Sequence, residues 1–115
     1  MLKEILNKFL IISGVQAAIV VQENGEIIES MKSGILMDEQ MKTAISTLMV
    51  DAKTTVTMFG KEPIEMVFVE FSDYSLVIGP LAEEFFLLVI AKNTANTGQI
   101  TYEMKKNQQA IVSCL

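Results

Sequence analysis

Phe85-Phe86-Leu87-Leu88-Val89-Ile90-Ala91, set between Glu84 and Lys92, is the longest unbroken apolar run in the chain. A bilayer-spanning helix needs roughly 20 apolar residues, so a run this short reads as a buried strand. It is apolar at both parities, which means that both of its faces are covered. Ala17-Ala18-Ile19-Val20-Val21 is built the same way. Two doubly covered strands belong at the centre of a sheet, and the rest of the fold can be placed around them.

Upstream, Leu2, Ile5, Leu6, Phe9 and Leu10 repeat at helical spacing, and Gly14 stands just beyond as a stop signal. Downstream of the first strand, Glu23-Asn24-Gly25 leads into Glu26-Ile27-Ile28. Asn24 and Gly25 form the strongest short hairpin signal, a turn in which both residues take positive φ. Asp38 is the expected N-cap of a second helix with the apolar stripe Met41, Ile45, Leu48, Met49, Ala52, Val56 and Phe59, ended by Gly60 and Pro63. Three strands follow, Ile64 to Phe71, Tyr74 to Gly79 and Phe85 to Ala91, joined by Ser72-Asp73 and by a corner containing Gly79-Pro80. A last helix starts near Thr97 with Ile100, Met104, Ile111 and Leu115 on one face. Hairpin connectivity then gives an α+β fold over residues 1–115. It is a single α/β/α sandwich whose antiparallel sheet has the order 2-1-5-4-3, with helices on both faces.

Two features do not fit a self-contained domain. On the second helix Thr43, Thr47, Val50, Thr54 and Thr57 share one face, where a solvated helix normally carries charge. The third strand is an edge in the expected order, yet it is apolar on one side at Ile64, Met66 and Phe68 and on the other at Val67, Val69 and Phe71. An uncovered edge of that kind invites association. The neutral helix face and the apolar edge together mark a second packing surface.

Composition removes several kinds of function. Half of the 115 residues are hydrophobic and 20% are charged, the balance of a folded chain. All nine cationic residues are Lys, and there is no Arg, His or Trp. Imidazole bases, His-ligated zinc and arginine fingers are therefore missing. A net charge of -5 with scattered Lys argues against nucleic acid as a partner. Cys114 is the one cysteine, so neither an internal disulfide nor a Cys-rich metal cluster forms, and no residue pattern calls for a cofactor. The apolar stretch from Phe9 to Val21 is interrupted by Ser13, Gly14 and Gln16 and preceded by Glu4, unlike a signal peptide. A cytoplasmic protein with no transmembrane segment is the expectation. Glu83-Glu84 is the densest acidic feature, but neighbours on an extended strand point to opposite faces and cannot share acid/base work, so no enzyme is expected. A small-molecule sensor or scaffold subunit is the alternative, with some of the eight Met lining an adaptable pocket. Met41, Met49 and Met104 fall on helix stripes where they simply fill a core.

Read together, Ile12-Ser13-Gly14-Val15-Gln16-Ala17-Ala18-Ile19-Val20-Val21 and Asn24-Gly25-Glu26-Ile27-Ile28 resemble the opening of the roadblock/dynein light chain family. The likeness continues through the long central helix, Gly79-Pro80-Leu81, Phe86-Leu87-Leu88-Val89-Ile90 and Thr97-Gly98-Gln99-Ile100. Gln22, with Glu23 beside it, stands where the family often has an acidic residue before the hairpin turn. The resemblance, nearest to the bacterial and archaeal regulator-like branch, implies a profilin-like or roadblock-like sandwich. It implies a homodimer joined through the second helix and third strand. Such proteins act as non-catalytic adaptors in motor-type or signalling assemblies or as regulators that bind small Ras-like GTPases and modulate GTP hydrolysis indirectly.

Overall fold

The computed structural model describes residues 1–32 and 38–115. Along the chain run α1 (Leu2–Leu10), β1 (Val15–Gln22), β2 (Ile27–Lys32), α2 (Glu39–Phe59), β3 (Val67–Phe71), β4 (Tyr74–Ala82), β5 (Phe85–Lys92) and α3 (Thr97–Val112). The strands form one antiparallel sheet in the order β2-β1-β5-β4-β3, the order read from the sequence.

The doubly apolar strands take the centre because each supplies side chains to two cores. Ala18, Val20, Leu87 and Val89 meet Ile5, Leu6 and Phe9 of α1 and Ile100, Met104 and Ile111 of α3. From the same strands Ile19, Val21, Leu88 and Ile90 project the other way, with Ile45 and Met49 of α2 over them. Burying each of the larger aliphatic side chains contributes about 1.5–3 kcal/mol, so the two layers carry the fold.

Local chemistry sets the ends of α2. The Asp38 carboxylate accepts the Met41 amide at 2.8 Å, and Gly60 closes the helix in the left-handed region, φ 67°. The first hairpin differs from the expected turn, because Gly25 has positive φ (94°) and Asn24 does not. The Gly25 amide bonds the Gln22 carbonyl and the Gln22 amide bonds the Glu26 carbonyl, closing a three-residue loop in place of a two-residue one. Asn24 contributes through its side chain, whose Oδ1 accepts the Glu26 amide at 2.9 Å. A Cβ on Gly25 would also lie 3.2 Å from the Lys42 carbonyl oxygen. Gly25→Val should therefore lower the unfolding free energy by about 1–3 kcal/mol, and an unchanged urea midpoint would show that the loop relaxes freely.

Four other expectations are corrected. Gly79-Pro80 is no corner: β4 runs through it to Ala82, and the turn into β5 lies at Glu83-Glu84. Proline is accommodated because the last β3 partner of β4 is Ile78, so Pro80 lies beyond the β3 ladder. Glu83 and Glu84 are thus exposed turn residues, with Glu84 at φ 69°, and not neighbours on an extended strand. The third strand begins at Val67, so Ile64 and Met66 lie outside it. Met41, Phe59 and Leu115, assigned to core stripes by periodicity, are exposed.

Candidate interaction surface

Within the described residues, no three His, Cys, Asp or Glu side chains are grouped so as to hold a metal ion. Among the described residues, no helix is long and apolar enough to cross a membrane. The unusual chemistry lies on the outside of α2 and at the β3 edge.

Thr43, Thr47, Val50, Thr54 and Thr57 are all exposed, and Val50 in the middle keeps 43% of its surface accessible. The hydroxyls of Thr43, Thr54 and Thr57 donate to carbonyls one turn back, Glu39 O at 3.0 Å, Val50 O at 3.0 Å and Lys53 O at 2.9 Å. A threonine that bonds its own helix in this way leaves its methyl group as the outward chemistry. The face is therefore less polar than its composition suggests. Charges lie to its sides: Lys42 pairs with Glu39 at 2.9 Å.

A latch on the flank of α2 fixes which face looks outward. The Lys53 ammonium lies 2.8 Å from the Glu23 carboxylate, and the Ser46 hydroxyl donates to the Glu23 carbonyl. The Glu23 amide in turn donates to Glu84 O at 2.6 Å, so one residue of the hairpin loop ties α2 to the β4–β5 turn. Glu23 holds the helix where the sequence offered only an acidic residue displaced by one position.

At the sheet edge, Phe68 is 54% exposed and Phe71 47%, while Val67 and Val69 are half-buried. Val67 packs on the core under α2, and the Phe71 ring sits 6.2 Å from that of Tyr74. Ile64 and Met66 are half-buried; with Thr57 they line one groove at the end of α2. Periodicity missed the apolar tip of α2, where Met58 is 83% and Phe59 76% exposed. Thus the helix face and the edge strand expected to form a second packing surface are both accessible in the protomer, except that Met66 turns inward to join the α1/α3 core.

The geometry has close counterparts. Myxococcus xanthus MglB is 17% identical and superposes with a TM-score of 0.86, covering 99% of this chain and 96% of that one. A Roadblock/LC7 domain from Streptomyces avermitilis is 16% identical, with a TM-score of 0.83 and coverages of 96% and 93%. The gliding protein MglB of Thermus thermophilus is 14% identical, with a TM-score of 0.81 and coverages of 96% and 84%. At such identities the likeness is one of fold. No curated protein sequence matches the chain. The model of the Roadblock/LC7 domain matches residues 1–91, from α1 through nearly all of β5, and the chain belongs to that family.

Proposed function

We propose that two copies pair through α2 and β3, and that the pair is a non-catalytic adaptor and regulator of a small Ras-like GTPase in the cytoplasm. The observation that carries this reading is the uncharged Thr/Val face of α2, with the hydroxyls of Thr43, Thr54 and Thr57 closed onto the helix, in a chain whose edge strand also exposes Phe68. Membership of the Roadblock/LC7 family and the likeness to MglB support it.

The chain's composition restricts how such a regulator works. Its 115 residues contain no Arg. An arginine finger, which accelerates GTP hydrolysis roughly 10³- to 10⁵-fold, is not available from it. Lysine lacks the planar fork that spans two phosphate oxygens and is a weaker substitute. The remaining route is to hold the GTPase's own switch loops in one arrangement, which requires tighter binding to one nucleotide state. Calorimetric titration of the protein into the GTP-analogue and GDP forms of the GTPase that co-purifies with it should give affinities differing by at least about tenfold. Equal affinities would exclude a state-selective regulator and leave a passive adaptor.

A further inference from the structure

A groove of about 890 Å³ opens between the end of α2, the 62–66 segment, the outer end of β4 and α3. Ligand pockets span roughly 300–1,000 Å³, so this one lies near the upper limit. It exists because the sheet ends unevenly. β3 pairs with β4 only as far as Val67 and Ile78, while β4 continues to Ala82. Beyond Ile78 the end of β4 has no β3 partner; the Met66 and Met104 side chains pack over Gly79, and the groove opens beside them. Met66 and Met104 are among the apolar residues lining it, and their unbranched thioethers can adapt to different shapes.

Two features decide what kind of occupant fits. The free strand end is guarded: Gln108 Nε2 donates to Leu81 O at 3.2 Å, and Pro80 has no amide to offer. An added strand would lack part of its ladder, so an occupant is held by its side chains. The second feature is charge. Glu62, Glu65 and Glu83 line the groove, are exposed, and form no ion pair among the described residues. Of the two lining lysines, Lys53 is already paired with Glu23, which leaves Lys105.

We propose that this groove docks a basic amphipathic peptide segment of a partner protein, with apolar side chains against Met66 and Met104 and cationic ones at Glu62, Glu65 and Glu83. A second copy of this chain fits poorly. Its net charge is -5, the same sign as the three carboxylates that line the groove. The groove goes beyond the pairing surface proposed above, sharing Thr57 with it.

The eight methionines provide the test. With methionine methyls labelled with carbon-13, the protein is titrated with a synthetic Leu/Lys peptide at helical spacing and with its Leu/Glu twin. Saturable shifts at Met66 and Met104 with the basic peptide are expected, with no saturable shift from the acidic one. E65K/E83K should weaken binding at least about tenfold, with the melting temperature and the mass by light scattering unchanged. On the native sequence, raising salt from about 50 to 300 mM should weaken binding several-fold, a check independent of any variant. Equal binding of the two peptides, or no shift at Met66 and Met104, would overturn the proposal. So would a shift confined to Met58, which would put the peptide beside the Thr/Val face of α2. Light scattering of the native protein reads pairing separately, so failure of one proposal is distinguishable from failure of the other.

Discussion

Lysine at both Val50 and Thr54 should convert a dimer into a folded monomer, seen as a halving of the mass measured by light scattering. Both positions are exposed in the protomer, and lysine is at least as good a helix former as valine or threonine, so the protomer itself is not destabilised. The effect falls on the pair. Thr43, Thr47, Val50, Thr54 and Thr57 are spaced by alternating steps of four and three, the seam of two packed helices. That series is nearly symmetric about Val50, so two antiparallel copies place Val50 against Val50 and Thr43 against Thr57. Two lysines per copy put four ammonium groups into the middle of a seam whose own five residues carry no carboxylate. Leaving unpaired charge in such a contact costs about 3–5 kcal/mol, a few hundred- to a few thousand-fold in the dissociation constant. Thr55 lies on the flank, and T55K should leave the mass unchanged. A native protein that is a monodisperse monomer at micromolar concentration, or a double variant that stays dimeric, would refute pairing through this face.

Met49→Ala should reduce the unfolding free energy by about 2–5 kcal/mol, measured by urea titration. Of the 21 residues of α2, Ile45 and Met49 are the two buried ones. Met49 is 0% exposed and belongs to the cluster with Ile78, Leu88 and Ile90. Shortening it leaves a void under a helix that has little else to hold it on that side. The Lys53–Glu23 pair cannot offset the loss, because a partly exposed ion pair contributes about 1 kcal/mol at most. Since the same helix carries the proposed pairing face, stability should also rise with protein concentration. A loss smaller than about 1 kcal/mol would mean that α2 is anchored mainly by its loop latch.

The strand order was legible because it follows from a local property: residues 17–21 and 85–91 are apolar at both parities, and only central strands bury both faces. The ends of α2 were legible because a carboxylate at Asp38 and a left-handed glycine at Gly60 act within one turn. Failures came where the answer depends on how far one element extends over another. Periodicity placed Met41 and Phe59 on the same stripe as Met49, but it does not say where the sheet beneath the helix stops. Pro80 looked like a break because proline interrupts a ladder, and no ladder with β3 exists at that point. Asn107 is buried on α3, and its amide is satisfied one turn back by Glu103 O at 2.8 Å and Glu103 Oε2 at 3.0 Å. An apolar count passes over such a residue. The neutral helix face was visible from composition alone, whereas the groove was not, because it is produced by the unequal lengths of β3 and β4.

The threonines of α2 bear on how faithful the pairing can be. In the proposed pairing, a contact made largely of methyl groups, with the hydroxyl protons of Thr43, Thr54 and Thr57 already given to carbonyls of the helix, carries shape but few donors that an incorrect partner would leave unanswered. Were the gene duplicated, the two products would inherit the same featureless seam and would mix in nearly statistical proportions. They would separate into distinct assemblies only once a charge, or a side chain of different volume, arose on one seam and was matched on another.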